Sequence, residues 1–554
     1  MLNSAFSDDE FARLVDKSTV KINPLIGNGL ATTLIPRAAD YIEKAFQSVK
    51  SDFPACVIYG GGSRCTPQES FDEKTRKRQN KAGKQGSRRS YDISPSDLYM
   101  MKYRFHYWDG KNKIELDPRY ILLPDIRDGG IMQLSGSMWV VSAVLIDRVI
   151  SVGLSNVFVQ LNKTRFIFKR LPHRLMIDGV EEPVQVIWAK VHQGNRTQKA
   201  SRAVTTMMHY LLCKYGFAET FALFGNCHPV ILTPDTDMSF FPENEWAVVQ
   251  SSSVRLKKAG RAHYERSHVR LAVRRSELNQ KVISMLGGLF YVVDHFPLRA
   301  LPENLNSKRM WTILLGELIP GESDHAGVLF EEAEKHLRSL DKYIDMLTDE
   351  RLRNIGMPVK NIYELFSIII GKFNEWLLSG SERVASMYDK EFSILPFVLY
   401  NIVSAINNLY FRLKAAEEKA AKAGKVLTPE NINGITFDLL KTGLIFNINK
   451  GHGEVSTLSA PGDNKAFKTT VILVSQTNSN NQSSSRDRSG TKDPTRWVHA
   501  SIVEVGSAWA LKKSDPFGKA FANPTVEMDH NWVVKRKLEH VELLDSVQNK
   551  IRRR

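Results

Sequence analysis

The residues of this sequence best suited to binding a ligand are basic, and they gather in a block at Ser253–Arg275. Eight Lys and Arg residues fall in the block, and its one acidic residue is Glu265. Cations at this density neutralise phosphate groups, so the block predicts contact with a nucleic-acid backbone. We expect an exposed helix or loop, and a solvated surface face remains the alternative. The contact is assigned to Arg255, Lys257, Lys258 and Arg261.

Residue patterns for catalysis or for metal binding are weak. Asp235-Thr236-Asp237 has a carboxylate spacing that could hold Mg²⁺. The pair stands alone after Pro234, where a turn is the more common structure. Four cysteines, Cys56, Cys65, Cys213 and Cys227, form no CxxC pair, and no His cluster with zinc spacing accompanies them. We interpret them as reduced thiols of a cytosolic chain. No catalytic and no metal-binding residue is assigned to this chain.

The overall charge also favours a polyanionic partner. The 554 residues include 76 Lys and Arg against 60 Asp and Glu, a formal net charge of +16. Nucleic acid is the simplest partner for such a chain, although many soluble proteins are basic for no specific reason. The start, Met1–Asp16, does not resemble a signal peptide, and no apolar run reaches the ~20 residues of a membrane span. We therefore expect no membrane partner.

Hydrophobic patterns predict a multi-domain α+β protein, and the length of 554 residues suggests about three or four domains at ~150 residues each. Alternation over Asp97–Trp108 predicts a strand whose aromatic residues belong to a core rather than to a base-stacking surface. Mixed or antiparallel strands are expected over Val157–Val191, with turns at His173 and Asp178-Gly179. Glycines at Gly60–Gly62 are expected to end a short strand. Helices are predicted at Ala38–Val49, Lys199–Lys214, Val328–Leu347, Asn361–Leu378 and Trp532–Arg554.

The stretch Tyr120–Gly153 predicts a hairpin of two strand-like runs, Ile131–Leu134 and Met138–Ile146. A proline, an aspartate and two glycines occur at fixed offsets in its turns: Pro124, Asp128, Gly130 and Gly136. In this spacing the stretch resembles the β subunit of multisubunit, cellular-type RNA polymerases, where the chain leaves the protrusion domain for the lobe. The polar contacts differ, because Met138-Trp139 and Asp147-Arg148 stand where that family has other residues.

A second stretch resembles the same family, in the same order along the chain. Lys199–Gly225 has basic residues, an apolar helix, a break at Gly216 and a short helix that ends in Leu223-Phe224-Gly225. The β lobe of the polymerases follows this order. The resemblance implies a protrusion-like first part at 1–153, a lobe-like domain at 154–388, a second protrusion-like part at 389–474 and a fork-like segment with a C-terminal helix at 475–554.

Further nucleic-acid contacts follow from the fork-like position of the C-terminal segment. Ser475–Ser489 is a polar, low-complexity loop, and a segment containing Arg and His follows it. In the β family a similar arrangement precedes a loop near the active centre, although the family's Gly-Pro-Gly-Gly and Glu-Thr-Pro-Glu-Gly motifs are missing here. The contacts implied by this resemblance are Arg486, Arg488, Lys492, Arg496 and His499.

The resemblance implies a function as well as a fold. The chain looks like the N-terminal portion of a split β-type subunit, as encoded by large bacteriophages, which forms one wall of the DNA cleft in transcription. Its implied partners are the remaining β and β′ polymerase parts, the DNA template and the RNA transcript. No cofactor is expected on this chain, and Mg²⁺ is expected on the partner subunit.

Such a subunit would be part of an enzyme without carrying its catalytic residues. The cytoplasm of an infected bacterial host cell, or the virion, is the expected location. The alternative is a stand-alone basic nucleic-acid-binding or virion protein without catalysis.

Overall fold

A computed structural model describes most of the chain outside the two termini. The described residues are 23–27, 30–73, 97–127, 130–134, 137–141, 144–152, 156–161, 165–190, 204–252, 254–258, 261–265, 267–319, 325–379, 387–435, 458–459, 472–474, 505, 519–521 and 526–535.

Helices and strands alternate irregularly along the chain. In chain order the helices are α1 Pro24–Gly27, α2 Leu30–Leu34, α3 Ala38–Val49, α4 Met207–Tyr215, α5 Phe217–Thr220, α6 Gln280–His295, α7 Lys308–Leu318, α8 Ala326–Leu340, α9 Met346–Asn354, α10 Ile362–Ser379, α11 Leu395–Lys422 and α12 Pro429–Asn433. The strands are β1 Val57–Arg64, β2 Leu98–Trp108, β3 Lys113–Glu115, β4 Arg119–Pro124, β5 Ile131–Leu134, β6 Ser137–Val141, β7 Val144–Asp147, β8 Ile150–Val152, β9 Asn156–Gln160, β10 Arg165–Ile177, β11 Val180–Lys190, β12 Val204–Thr206, β13 Val230–Leu232, β14 Trp246–Ser251, β15 Val254–Lys258, β16 Arg261–Glu265, β17 Arg270–Arg274, β18 Lys390–Ser393, β19 Leu458–Ser459, β20 Ile472–Val474, β21 Lys519–Phe521, β22 Glu527–Met528 and β23 Val534–Lys535.

The chain divides into two compact units. Unit 1 combines Met1–Arg148 with Ala385–Arg554, and unit 2 is the uninterrupted segment Val149–Val384. Several sheets combined with helices make this a multi-domain α+β protein, which confirms the predicted fold class. Unit 2 is therefore an insertion in the sequence of unit 1.

Unit 1 contains an antiparallel sheet in which β1, β3 and β4 all pair with β2. The amphipathic helix α3 packs its Phe46 ring against Tyr59, Tyr103 and Phe105 on one face of this sheet. Tyr103 and Phe105 are buried, as the alternation predicted.

The glycines at Gly60–Gly62 do not end β1, contrary to the prediction, because the strand continues through them to Arg64. A β-bulge lies between Tyr59 and Gly61. A Cβ on Gly60 would lie 2.6 Å from His106 Cε1, and one on Gly62 would lie 2.6 Å from Tyr103 Cε1. Glycine at these positions lets two rings of β2 lie directly against the backbone of β1.

Unit 2 is built on an eight-stranded antiparallel sheet, in which β12, β11, β10, β14, β17 and β13 follow one another, with β9 and β8 beside β10. The long hairpin β10–β11 turns at Asp178 and Gly179, both with positive φ, as a two-residue hairpin loop requires. His173 was predicted in a turn, but it lies inside β10 opposite Val184.

Helix α6 lies close against this sheet. A Cβ on Gly287 would lie 2.9 Å from Val184 Cγ2, and one on Gly288 would lie 2.8 Å from Met208 Cβ. One continuous hydrophobic core joins the sheet to α4, α6, α7 and α10. Its largest fully buried side chains include Trp311, Phe366 and Phe373.

Two predicted helices are wrong at their starts. Within the described part of Lys199–Lys214 the helix begins at Met207, because the β-branched residues 204–206 form β12 beside β11. Thr206 then caps α4 by accepting the N–H of His209. The C-terminal helix does not begin at Trp532: Val534–Lys535 is strand β23, and Trp532 has a φ of 65° in the turn before it. Residues 536–554 lie outside the described residues.

The stretch Tyr120–Gly153 contains the predicted hairpin, although its second run divides. β5 pairs with β6, from Ile131 opposite Val140 to Leu134 opposite Ser137. The remainder of the run forms β7, which pairs with β18. Lys390 on β18 and Asp147 on β7 form a buried ion pair, with 2.5 Å between Lys390 Nζ and Asp147 Oδ1. This pair joins the two segments of unit 1 beside the point where unit 2 is inserted.

Candidate nucleic-acid interface

The basic block of the sequence divides into a separate hairpin and a sheet strand. Its first part, β15–β16, is a two-stranded antiparallel ribbon and not the helix or loop that we expected. The register sets Arg255 opposite Tyr264, Lys257 opposite Ala262 and Lys258 opposite Arg261. All four assigned cations therefore lie on one ribbon of five residue pairs. A two-stranded ribbon of this kind fits into the major groove of DNA.

The second part of the block serves the fold of unit 2. Leu271–Val273 are buried in β17, which lies between β14 and the edge strand β13. The Arg274 guanidinium lies 5.3 Å from the centre of the Trp246 ring. Arg275 donates to Asp178 Oδ2 at 2.6 Å and to the Glu243 carbonyl at 2.7 Å. The prediction that the whole block is an exposed helix or loop is therefore wrong for β17, whose residues Leu271–Val273 are buried, whereas Arg274 and Arg275 are exposed.

The five fork-like contact residues cannot be placed in this interface. Arg486, Arg488, Lys492, Arg496 and His499 all lie outside the described residues.

The carboxylate pair forms the turn that was favoured for it. Asp235 lies in a turn, and Asp237 Oδ1 accepts the N–H of Ser239 at 2.9 Å at the start of a short 3₁₀ helix. These hydrogen bonds lower the pKa of the Asp237 carboxyl. Within the part of the chain that the structure describes, three or more His, Cys, Asp or Glu residues nowhere gather as a metal site would require. The prediction that Mg²⁺ binds to a partner subunit stays a prediction.

The cysteines are free thiols of low reactivity. Cys65, Cys213 and Cys227 are buried, and Cys56 is partly buried. Burial raises the pKa of Cys227 to about 12, with help from nearby Glu277, and burial also raises the pKa of Cys213. Because the thiolate is the nucleophile, these cysteines are poorly suited to covalent chemistry.

Sequence reasoning missed a second surface, on the sheet of unit 1. We call it the outer face, defined by Ile58, Arg104, His106, Trp108 and Lys113. The register sets Ile58 opposite His106 and Trp108 opposite Lys113, and Arg104, His106 and Trp108 alternate along β2. Ile58 is 39% exposed and Trp108 is 43% exposed. The signal in the sequence was the set of residues that alternate with the core aromatics of β2.

The electrostatics of the outer face are mildly basic. Arg104 and Lys113 are exposed, and Glu115 lies opposite His106. Burial and then Lys113 lower the pKa of His106, and Glu115 opposes this effect. Arg104 forms no ion pair among the described residues. Glu69 is a nearby counter-charge, since the backbone hydrogen bond from Thr66 and then the charges of Lys102 and Arg104 lower the pKa of its carboxyl.

The turn residues of the Tyr120–Gly153 stretch are only partly described. Pro124 is the last residue of β4, and Gly130 has a φ of 74°, which favours glycine. Asp128 and Gly136 lie outside the described residues. In the second stretch, Gly216 has a φ of 82° after α4, but the left-handed residue at the later helix end is Asn226 rather than Gly225.

The described residues therefore show a multi-domain α+β protein, in which the hairpin β15–β16 brings four Lys and Arg residues together. A protein-family model, described as non-virion RNA polymerase subunit, matches residues 26–533. The chain therefore belongs to the non-virion RNA polymerase subunit family. No curated protein matches it significantly.

Family membership sets the general function of the chain. It is an RNA polymerase subunit, it acts in transcription, and other polymerase subunits are its partners. Within the described residues no helix has the length and apolar character needed to cross a membrane.

Proposed function

We propose that the chain is the N-terminal portion of a split β-type polymerase subunit and forms one wall of the DNA cleft. The observation that carries the proposal is the insertion of unit 2 at 149–384 between two segments of unit 1. A protrusion in two parts around a lobe has the same order along the chain. On this assignment unit 1 is protrusion-like and unit 2 is lobe-like.

In this role the chain positions nucleic acid and performs no chemistry by itself. Hairpin β15–β16 contacts the phosphates of the DNA template and its duplex, which gives affinity and register but no sequence information. The remaining β and β′ parts complete the cleft around the DNA and the RNA transcript. Nucleotide addition would need the partner subunit, which would hold Mg²⁺ and supply charge stabilisation; no residue of this chain is assigned to that step.

The cellular setting follows from the same proposal. We place the chain in the cytoplasm of a bacterial cell infected by a large bacteriophage. The description of the family as a non-virion RNA polymerase subunit favours this location over the virion. It also argues against the alternative of a stand-alone basic protein, because a subunit acts with partners.

Co-purification tests the partnership. A tagged copy of the chain, expressed during infection, should recover the large β and β′ parts in stoichiometric amounts. A monomer that binds DNA and recovers no polymerase part would contradict the proposal.

A primed scaffold separates a β-type subunit from an accessory one. The polymerase is assembled with and without this chain and given a preformed template–RNA hybrid, which removes any need for a promoter. A missing cleft wall should abolish RNA extension. Extension at the normal rate without this chain would overturn the β-type assignment and leave the family membership intact.

A further inference from the structure

The outer face of the unit 1 sheet combines exposed rings, exposed cations and an open backbone. Trp108 and the partly exposed His106 lie two residues apart on β2, with Arg104 two residues further along the strand. Ile58 on β1 and Lys113 on β3 flank them. The inner face is filled by α3, so the outer rings are not needed for that core. Exposed apolar side chains that are grouped together and rimmed by polar residues mark a site of interaction.

We propose that this outer face binds single-stranded nucleic acid by stacking bases on Trp108 and His106, with Arg104 and Lys113 contacting phosphates. Aromatic side chains on a sheet, flanked by cations, are the general means by which proteins hold single strands without sequence preference. The proposal rests on the family membership of the chain and not on its β-type assignment.

The spacing along β2 selects single strands over duplex. Side chains two residues apart on one strand lie about 6.8 Å from each other. Neighbouring bases in a duplex are stacked at about 3.4 Å, so a ring between two bases requires them to separate to about twice that distance. A single strand meets this requirement at little cost, whereas a duplex must be unpaired first.

The glycines of β1 keep the face accessible. At Gly60 the missing Cβ leaves room for the His106 ring, whose Cε1 would otherwise be 2.6 Å away. Gly61, opposite Arg104, has a φ of 93° and nothing within 4 Å of its Cβ position. Ligand groups can therefore approach the backbone beside Arg104. A larger residue at Gly60 would displace the His106 ring without disturbing the inner face.

Binding by the full-length chain tests the proposal. Fluorescein-labelled rU12, dT12 and a 24-bp duplex are titrated and followed by anisotropy. Trp108→Ala should weaken binding of the single strands by roughly 5-fold to 150-fold, which corresponds to the loss of one stacked base. Trp108→Phe should restore most of that affinity. The ratio between rU12 and dT12 shows whether RNA or a DNA strand is the preferred ligand.

Two further variants separate binding from folding. Arg104→Glu and Gly60→Ala should each weaken binding of the single strands while the thermal midpoint stays close to that of the wild type. Phe71→Ala is the matched control, because Phe71 is an exposed aromatic residue of unit 1 outside the outer face, with 59% of its surface exposed. It should leave the affinity unchanged.

Three outcomes would overturn the proposal. They are wild-type affinity of Trp108→Ala, an equal loss in Phe71→Ala, or a loss confined to the duplex. Failure here is distinguishable from failure of the β-type assignment, because the scaffold extension experiment depends on the presence of the chain and not on these side chains.

Discussion

His209 lies in the core of unit 2 with both of its ring nitrogens bonded. Nε2 donates to the Trp311 carbonyl at 2.9 Å, so Nδ1 accepts the Thr205 hydroxyl proton at 2.8 Å. Burial lowers the pKa of His209 from 6.5 to about 4. His336, beside Tyr210, has its pKa lowered to about 4 for the same reason. Both histidines are therefore neutral in the folded state.

The first prediction is that acid destabilises unit 2 through these histidines. Their folded pKa lies below the unfolded value, so the unfolded state takes up protons first as the pH falls. The contribution of the two neutral histidines to the free energy of unfolding is fully present above pH 6.5. It is lost as the pH falls from 6.5 toward 4, at about 1.4 kcal/mol per pH unit for each histidine. Urea unfolding at pH 7, 6 and 5 measures this loss. His209→Gln removes one titrating group and should show a shallower dependence; an equal dependence would contradict the assignment.

The second prediction concerns Gly130. Its φ of 74° is strongly disfavoured for a β-branched residue. Gly130→Val should lower the free energy of unfolding by about 1–3 kcal/mol, whereas Gly130→Asn should cost less. Soluble yield and incorporation into the polymerase measure the damage. Normal assembly with a specific loss of nucleotide addition would show that the hairpin has another role. The same expectation for Gly136 concerns a residue outside the described part of the chain.

Gly225 was predicted to end the short helix, and the residue with left-handed backbone at this end is Asn226. Asn226 has a φ of 47°, while a Cβ on Gly225 would meet its neighbours at 3.5 Å, an ordinary contact distance. Sequence could place the helix end at this point but could not choose between two adjacent residues that both tolerate left-handed backbone.

At the scale of elements, long and regular hydrophobic patterns predicted some helices and strands, whereas dense charge led to the wrong structure for the basic block. The helix at Ala38–Val49 has the predicted bounds, and the strand predicted at Asp97–Trp108 is β2, Leu98–Trp108, because both patterns are long and regular. In β15, Val254 and Leu256 alternate with Arg255 and Lys257, which is strand periodicity. The density of charge suggested an exposed helix or loop instead. The outer face could not be predicted, because the face that α3 covers is decided by tertiary packing.

The third prediction concerns hairpin β15–β16 as a phosphate-binding element. Reversing Arg255, Lys257, Lys258 and Arg261 to Glu should weaken DNA binding on unrelated sequences alike. The slope of log affinity against log salt should become shallower by roughly 0.9 for each phosphate that the hairpin no longer neutralises. Filter binding at several salt concentrations measures both effects.

A matched pair of double variants controls for net charge. Lys257→Glu with Lys258→Glu changes the hairpin, and Lys360→Glu with Lys372→Glu makes the same change at exposed sites elsewhere in unit 2. Only the hairpin pair should change the salt slope. Equal slopes of log affinity against log salt in the two double variants would show that the hairpin is a solvated face.

At the scale of the whole molecule, the insertion of unit 2 organises the chain. The sequence predicted a return to the first domain near residue 389, and it did so by resemblance, since no local pattern marks such a return. The two segments of unit 1 meet through tertiary structure. β7 and β18 pair through a register that sets Lys390 opposite Asp147, two residues that are 243 positions apart in the sequence. Breaking this buried pair would leave an unpaired buried charge.

The last prediction is that unit 2 folds when it is excised. Its hydrophobic core runs from Val149 to Phe373 and so lies wholly within the segment Val149–Val384. The first strand, β8, is already paired with β9, and the last helix, α10, contributes the buried Phe366 and Phe373. The excised segment should therefore unfold in one cooperative transition, measured by circular dichroism during heating. A segment cut at Leu340 loses α10 and should not fold, because its sheet would expose the surface that these rings cover. Non-cooperative melting of Val149–Val384 would show that its core depends on unit 1.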